Sequence, residues 1–255
     1  MQFKRLYLDI ETSPNIGFFW QAGYKLNIPP ENIIHERAII CVCYKWEHEK
    51  TVKSLQWKKG KDKELLVELI KVMNEADEIV GQNSDNYDIK WLRTRCLFHN
   101  ISMQPEYNQV DTYKLAKKYF RFNSNKLDYM SSFLGHGNKL HTSYSLWKDI
   151  VLNNCEKAMN TMIKYCKKDV LITEKVHKSM IPFIKHRTHV AVLKGFSKID
   201  CPECGSTNTQ SRGYWISAAG VKKNKCQCTD CGKWYSVAQT TYTKELNNRE
   251  RKDII

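Results

Sequence analysis

The chain has 255 residues, with 41 Lys and Arg against 27 Asp and Glu, so its formal net charge is +14. A hydrophobic content of 42% and an aromatic content of 11% exclude an intrinsically disordered chain, and no apolar run reaches the roughly 20 residues that span a bilayer. The positive charge favours an anionic partner, nucleic acid first. Because no apolar stretch of signal-peptide length lies near the N-terminus, we expect a soluble, cytoplasmic protein with no membrane partner.

Apolar spacing and turn residues divide the first 180 residues into strands and helices. Asp62 and Asn86 are placed to cap the first two helices, and Gly135 to stop a later one. Three strands followed by alternating helices and strands predict a mixed α/β sheet covered by helices. In chain order, the predicted elements are strands at 3–10, 38–46 and 51–57, a helix over about 62–76, a strand at 78–81, a helix from 86, a strand ending near 110, helices from 111 and over 125–134, and a long helix over about 154–180.

The rest of the chain changes in composition and predicts further divisions. A Pro follows the long helix, and residues 185–199 are basic and have the character of a connector. Five of the ten cysteines crowd into residues 200–240, which we interpret as a separate small module. We therefore expect a large domain at 1–184, the connector, the cysteine-rich module, and a frayed tail at 241–255.

The first candidate site is the sequence LDIET, which contains Asp9 and Glu11. Residues i and i+2 of a strand point to the same face, so two carboxylates stand side by side at a strand end. Such a pair repels itself unless a cation lies between the two groups. The alternative, two exposed acids on an edge strand, fits less well because apolar residues alternate with them and indicate a central strand.

Two other acidic motifs follow. Asp88, in NYDIKWL, falls in the first turn of the second helix, where an acid also complements the helix dipole. Tyr165 and Asp169 lie four residues apart, so they share one face of the long helix. Asp85 and Asp111 compete with Asp88 for the second acidic position, and the NYDIKWL phrase favours Asp88.

The three motifs occur in the order strand, loop-to-helix and late helix, with a Tyr four residues before the last Asp. In this combination the sequence resembles the DEDD superfamily of 3′–5′ exonucleases, in its Tyr-containing branch. It looks most like the proofreading domains of B-family DNA polymerases and their stand-alone relatives. The resemblance covers about residues 3–182 and implies a ribonuclease H-like fold, in which a five-stranded mixed sheet has helices on both sides.

The resemblance also implies roles for individual residues. Oxygen ligands suit Mg²⁺ or Mn²⁺, and two such ions stabilise the attacking and leaving oxygens of a phosphodiester together. Asp9 would bridge both ions, Glu11 and Asp169 would complete one site, and Asp88 would hold the other ion through water. Tyr165 would position the attacking water. Contacts with the substrate are expected from Thr12, Phe18, Trp20, Asn86 and Lys148, although the aromatic residues equally fit a loop packed on the core.

The cysteine-rich module contains two CxxC motifs, Cys201 to Cys204 and Cys228 to Cys231, separated by 23 residues. Each motif is followed by Gly, which permits a tight turn. Four thiolates at the corners of a tetrahedron suit one structural Zn²⁺, and the pattern resembles a zinc ribbon. Cys226 is left over, since its CxC spacing to Cys228 gives poorer ligand geometry.

Basic and aromatic residues are mixed within this module, which is typical of a surface that grips nucleic acid. The alternative is a small appendage or protein-docking module whose aromatic residues form its own core. The residues concerned are Arg212, Tyr214, Trp215, Lys222, Lys223, Lys225, Lys233 and Trp234.

Together these features predict a metal-dependent 3′–5′ exonuclease that removes nucleotides from single-stranded DNA. An RNA 3′-end trimming or structure-directed nuclease is an alternative, because the choice of sugar depends on contacts to the 2′-OH. A non-catalytic nucleic-acid-binding protein is a third hypothesis, against which the complete set of acids argues. The Lys- and Asn-rich chain is similar to nucleases that phages encode and that act in a bacterial host. A replication or repair partner fits this interpretation, and the oligomeric state stays open.

Overall fold

The computed structural model describes residues 3–23, 26–138 and 142–252. Residues 1–2 of the predicted first domain and residues 253–255 of the predicted tail lie outside these ranges. The described chain forms two compact units, residues 4–176 and residues from 177 onward together with Phe3. Within the described ranges, no helix combines the length and the apolar character required to cross a bilayer.

The first unit is built around a five-stranded sheet in the order β5-β4-β1-β6-β7. The central strand β1 pairs antiparallel with β4 on one side and parallel with β6 on the other, so the predicted mixed sheet is confirmed. A two-stranded ribbon, β2 with β3, lies outside this sheet and was not predicted. The strands are β1 (Arg5–Thr12), β2 (Ile16–Gly17), β3 (Ile33–His35), β4 (Ile39–Trp46), β5 (Lys53–Gln56), β6 (Glu78–Gly81) and β7 (Gln109–Asp111).

Helices cover both faces of the sheet, as the ribonuclease H-like fold requires. Leu6, Leu8 and Ile10 of β1 are buried in one core with residues of α1 and α2. Tyr7 lies on the opposite face, in a second core with residues of α5 and α6. Because side chains alternate along a strand, Asp9 and Glu11 also belong to the α6 face. The helices are α1 (Lys63–Asn74), α2 (Asp88–Phe98), α3 (Thr112–Tyr119), α4 (Leu127–Phe133), α5 (Tyr144–Asn153) and α6 (Glu156–Met180).

The two predicted helix caps are wrong. Asp62 precedes α1 but makes no side-chain cap, and α2 begins at Asp88 rather than at Asn86. The Asp62 carboxylate is instead fully buried, 2.7 Å from Arg95 Nε and 2.7 Å from His99 Nε2. Burial alone would raise the pKa of Asp62, but hydrogen bonds from Arg95, the Ile39 N–H and His99 lower the pKa below its usual value.

The second unit contains a three-stranded antiparallel sheet in the order β10-β9-β8. Its core comprises Ile199, Cys226, Tyr235 and Val237, with Tyr242 packed against them. Cys226, the cysteine left over by the CxxC motifs, is therefore a core residue. The expected tail differs from the structure, since residues up to Lys252 form a helix that contacts β9 and β10. The elements are α7 (Val190–Leu193), β8 (Thr209–Ile216), β9 (Lys222–Cys228), β10 (Trp234–Ala238) and α8 (Gln239–Lys252).

Lys233 differs most from its sequence-based interpretation. It was grouped with the basic residues that grip nucleic acid, yet its side chain is 0% exposed. Its ammonium donates to the carbonyl oxygens of Ile181 at 2.8 Å and Ile184 at 2.5 Å, and it lies 3.6 Å from the Glu203 carboxylate. Burial lowers its pKa, and Glu203 counteracts part of that effect. Lys233 thus ties the chain after α6 to the cysteine module and is not available to a ligand.

Candidate active site and cysteine cluster

Three carboxylates converge on one face of the central strand. Asp9, Glu11 and Asp169 each offer an oxygen, and these oxygens all lie within 4.8 Å of one another. Asp9 and Glu11 are half-buried and Asp169 is buried. β1 presents the first two toward α6, and α6 is held against β1 by Cys166, whose thiol donates to the Asp9 carbonyl oxygen at 3.4 Å. Acids that are distant in the sequence therefore meet where β1 and α6 pack together.

This cluster has the chemistry of a divalent-cation site. Carboxylates this close repel one another and are stable as ions only when positive charge is near. The donors are all hard oxygens, which suit Mg²⁺ or Mn²⁺ rather than a thiol-preferring metal. The residues present thus fit the ions that the sequence motifs predicted.

Asp88 lies beside this cluster and is held differently. Its Oδ1 accepts a hydrogen bond from the Ile10 N–H at 3.1 Å, so it contacts the strand between Asp9 and Glu11. β6 pairs with β1 only as far as Tyr7, which leaves the Ile10 N–H to another acceptor. Burial raises the pKa of Asp88 to about 7; backbone hydrogen bonds counteract this rise, and the nearby Asp111 adds to it.

The two competing acids make structural contacts. Asp111 caps α3 by accepting from the Tyr113 and Lys114 N–H groups, and it also accepts from the Asn83 N–H at 2.9 Å. Asp85 is paired with Lys114 at 2.7 Å. Asp111 therefore fixes the loop that leads from β6 to Asp88.

Gly81, at the start of the same loop, is required by a close approach. A Cβ at this position would lie 2.6 Å from the Ser84 Cβ and 3.3 Å from the Leu8 carbonyl oxygen. The loop can therefore turn back against β1 only with glycine here.

Tyr165 and Thr12 lie on elements that border the cluster. Tyr165 precedes Asp169 by one turn of α6 and is half-buried at the edge of the second core. Thr12 ends β1, and its hydroxyl shares a 2.7 Å hydrogen bond with the Tyr87 hydroxyl. Its carbonyl oxygen accepts from Trp147 Nε1 at 3.1 Å. Thr12 thus connects the end of β1 to Tyr87, beside Asp88, and to Trp147 of α5.

A groove of about 630 Å³ opens beside the loop that carries Asn86. Lys117 and Lys126 also line it, and neither was predicted as a substrate contact. Tyr113 and Lys117, four residues apart in α3, could have signalled it, because that spacing places both on one helix face. The lining residues are Gln82, Asn83, Asn86, Tyr113, Lys117, Lys126, Leu127 and Asp128.

The other predicted substrate contacts do not line this groove. Phe18 and Trp20 are 73% and 104% exposed, which is inconsistent with a loop packed onto the core. Lys148 is exposed, with its ammonium 5.9 Å from the centre of the Tyr144 ring. All three are open to solvent and to a ligand.

The four cysteines of the CxxC motifs converge in the second unit. Their Sγ atoms all lie within 4.8 Å of one another, with Cys201 3.6 Å from Cys231 and Cys204 3.7 Å from Cys228. Hydrogen bonds from Cys204 and Cys231 lower the pKa of Cys201, and the same contact with Cys201 raises the pKa of Cys204 to about 12. Four thiolates cannot share this space without a cation, so the donor set fits Zn²⁺.

Comparisons with known proteins agree with this geometry. Residues 30–151 match a family model described as a predicted 3′–5′ exonuclease related to the exonuclease domain of PolB. Among 120 matching solved chains is the family B DNA polymerase from the hyperthermophilic archaeon Pyrobaculum calidifontis, with a TM-score of 0.55 and 16% identity. That match covers 71% of this chain and 25% of the polymerase. A search of the curated proteins found no match.

The fold and the family model together define the class of the first unit. The structural likeness supports the fold, and the family model supports the exonuclease identification. The resemblance that the sequence motifs indicated is therefore confirmed, and the match over residues 30–151 supports the identification of a PolB-like 3′–5′ exonuclease domain.

Proposed function

We propose that the protein is a two-metal-dependent 3′–5′ exonuclease that removes nucleotides from the 3′ end of single-stranded DNA. The observation that carries this proposal is the meeting of Asp9, Glu11 and Asp169 within 4.8 Å, with Asp88 bonded to the strand between the first two. The motifs that carry these acids also occur in the chain order expected for the exonuclease family that the sequence resembles.

Each residue has a separate task in the proposed reaction. Asp9, Glu11 and Asp169 would hold the divalent ions, and Asp88 would contribute through water. When bound, the two ions neutralise charge on the attacking and leaving oxygens. Tyr165 would orient the attacking water rather than deprotonate it, because a neutral phenol is a very weak base.

The bond changes follow from this assignment. The water oxygen gives up a proton to solvent and bonds to phosphorus. The bond from phosphorus to the 3′ oxygen of the preceding nucleotide breaks, and that oxygen takes up a proton from solvent. The products are a nucleoside 5′-monophosphate and a strand one nucleotide shorter.

Several exposed groups of the first unit support a single-stranded substrate. Phe18 and Trp20 offer ring faces on which bases can stack. Lys117 and Lys126 bring positive charge to the groove beside Asn86. We propose that Thr12, at the end of β1, contacts the substrate and that Lys148 contacts one of its phosphates.

We also propose that Cys201, Cys204, Cys228 and Cys231 hold one structural Zn²⁺. All four ligands come from the protein, which leaves no open position for chemistry. The division into an exonuclease domain at 1–184, a connector at 185–199 and a ribbon at 200–240 stays a prediction.

The test is digestion of single-stranded DNA and RNA oligonucleotides of one sequence, each labelled at the 5′ or the 3′ end. Mg²⁺ or Mn²⁺ is added or omitted, and chelators are avoided because they would also remove Zn²⁺. We expect DNA labelled at the 5′ end to give a ladder that shortens one nucleotide at a time. DNA labelled at the 3′ end should release labelled mononucleotide at once, and the Asp9→Ala variant should release none.

Other outcomes would decide for the alternatives. Faster trimming of RNA would favour the RNA nuclease, and internal fragments would favour a structure-directed endonuclease. No cleavage under any condition, with binding retained, would favour a non-catalytic nucleic-acid-binding protein and contradict the proposal.

A further inference from the structure

One face of the three-stranded sheet in the cysteine module is uncovered by the described residues. In β9, Asn224, Cys226 and Cys228 are buried, whereas Lys223, Lys225 and Gln227 alternate with them. The buried set points to the core that α8 covers. The alternating set therefore points outward, and the register shows which residues of β8 and β10 share that face.

Two tryptophans stand on this outer face. Trp234 of β10 is paired with Gln227, and Trp215 of β8 is paired with Lys223. The two positions are four residues apart along β9, or about 13 Å at the usual rise of a strand. Trp215 and Trp234 are 39% and 50% exposed, which is unusual for the largest apolar side chain.

The indole of Trp215 is fixed in orientation. Its Nε1 donates to Ser236 Oγ at 3.1 Å. Since Trp215 belongs to β8 and Ser236 to β10, the ring lies across β9, with the Lys223 ammonium 5.4 Å from the ring centre. A ring held in this way offers a flat surface to a ligand without a large loss of side-chain entropy.

Charge on this face has one sign. The strands β8, β9 and β10 contain Arg212, Lys222, Lys223 and Lys225 and no Asp or Glu. Arg212 lies on the outer face, because its Nε donates to Gln227 Oε1 at 3.1 Å. The face therefore combines two aromatic platforms with three cations and complements a ligand that carries both flat rings and regular negative charge.

We propose that this outer face, formed by Arg212, Trp215, Lys223, Lys225, Gln227 and Trp234, is a binding surface for single-stranded nucleic acid. Bases stack on the two indoles, and the backbone phosphates lie against the cations. Stacking requires unpaired bases, so duplexes bind here more weakly. The binding is independent of cleavage and goes beyond the proposed reaction of the first unit.

The experiment measures affinity of the full-length protein for a 30-nucleotide single strand, without Mg²⁺ or Mn²⁺ so that no cleavage occurs. We expect Trp215→Ala and Trp234→Ala each to weaken binding by about 5- to 150-fold, the range found for loss of one stacked base. Trp→Phe at either position should restore most of the affinity. Replacing Lys223 and Lys225 by Gln should reduce the salt dependence of log K by about 0.7 for each phosphate that the variant no longer neutralises.

Lys244→Gln is the matched control. Lys244 is an exposed cation of α8, the helix that contacts β9 and β10 and covers the opposite face of the sheet. We expect its affinity to stay within about twofold of that of the wild type. Zinc content and circular dichroism of every variant establish that the module is folded.

Two results would overturn the proposal. The first is unchanged affinity and salt dependence in folded Trp and Lys variants. The second is loss of affinity in the Lys variants alone, equal for single strands, duplexes and heparin, which would indicate a general polyanion contact without stacking. If the protein does not cleave DNA but these differences in affinity are observed, the proposed reaction is rejected and the proposed binding surface is supported.

Discussion

The Oδ1 of Asp88 accepts a hydrogen bond from the Ile10 N–H at 3.1 Å, which places a buried carboxylate against the strand between Asp9 and Glu11. The contact joins the first two acidic motifs through the backbone. It also explains why Asp88 can sit near other acids, because the N–H dipole offsets part of the burial that raises its pKa to about 7.

Asp88→Asn should separate the charge of this residue from its hydrogen bond. The Asn carbonyl oxygen can keep the bond from the Ile10 N–H, so the loop should remain in place. Cleavage should fall at least roughly 10²-fold, the scale on which the removal of one electrostatic stabiliser acts. The measurement is the single-turnover rate in Mg²⁺.

The same variant should be more stable than the wild type in the absence of divalent ions. A carboxyl group whose folded pKa is raised to about 7 destabilises the fold increasingly as pH rises above its usual pKa of about 4, and the effect levels off above about pH 7. The gain in melting temperature should therefore be largest at pH 8, smaller at pH 5 and close to zero at pH 3. Asp85→Ala is the control for the rate measurement. Asp85 lies three residues earlier and is paired with Lys114, so its loss should leave the single-turnover cleavage rate unchanged.

Asp169→Ala should abolish cleavage while preserving the fold. The substitution removes one of three carboxylates within 4.8 Å of one another, so it relieves repulsion in the metal-free protein. We expect activity to fall by about 10²–10³-fold or more. Added Mn²⁺ should raise the melting temperature of the wild type but not that of the variant, since binding to the folded state stabilises it. Glu156→Ala, an exposed acid on the same helix, should behave as the wild type in both assays.

Much of the exonuclease unit could be predicted because its signals are local. The alternation in β1 and the four-residue spacing of Tyr165 and Asp169 require no knowledge of distant residues. The helix α5 was not predicted, and Asp62 was misassigned as a cap. Its actual partners, Arg95 and His99, come from another helix.

Long-range contacts also account for the errors in the second unit. Lys233 lies beside an exposed Trp in a basic segment, and nothing near it in the sequence indicates burial. The carbonyl groups that hold it belong to Ile181 and Ile184, about fifty residues earlier. A side chain that satisfies distant backbone groups leaves no periodic pattern, so the sequence could not reveal it.

Tyr165→Phe should slow cleavage without stopping it. The aromatic ring still packs at the edge of the core, and only the hydroxyl that orients water is removed. We expect a decrease of about 10- to 1,000-fold in the single-turnover rate. The affinity for Mn²⁺, measured by thermal shift, should not change. A decrease of less than twofold would assign Tyr165 a purely structural role.

Asp62→Asn should destabilise the exonuclease unit by about 3–5 kcal/mol at pH 7, because it leaves the buried Arg95 guanidinium without its counter-ion. The pKa of Asp62 is lowered in the folded state, so the stability it supplies is present above its usual pKa and is lost as pH falls through the folded value. Urea unfolding at pH 7, 5 and 3 should therefore show a difference between wild type and variant that shrinks at pH 3.

Glu64→Gln is the control for this prediction. Glu64 lies in the first turn of the same helix, and its ion pair with Lys58 is exposed, so its removal should cost less than about 1 kcal/mol. Equal effects of the two substitutions would mean that the helix dipole, rather than the buried ion pair, accounts for the loss.

Cys204→Ser should remove bound zinc and unfold the cysteine module. The buried core of that module is small, with Ile199, Cys226, Tyr235 and Val237 as its members, so the metal supplies much of its folding free energy. Elemental analysis should give about one zinc per wild-type chain and close to none for the variant. Cleavage of short oligonucleotides should persist, because the acidic cluster belongs entirely to the other unit.

Cys226→Ser is the matched control, since Cys226 lies in the same module and in its core but outside the group of four thiols. It should keep its zinc and lose only part of the module's thermal stability, because a hydroxyl replaces a thiol in an apolar core. Zinc retained by Cys204→Ser, or lost by Cys226→Ser, would contradict the assignment of the four ligands.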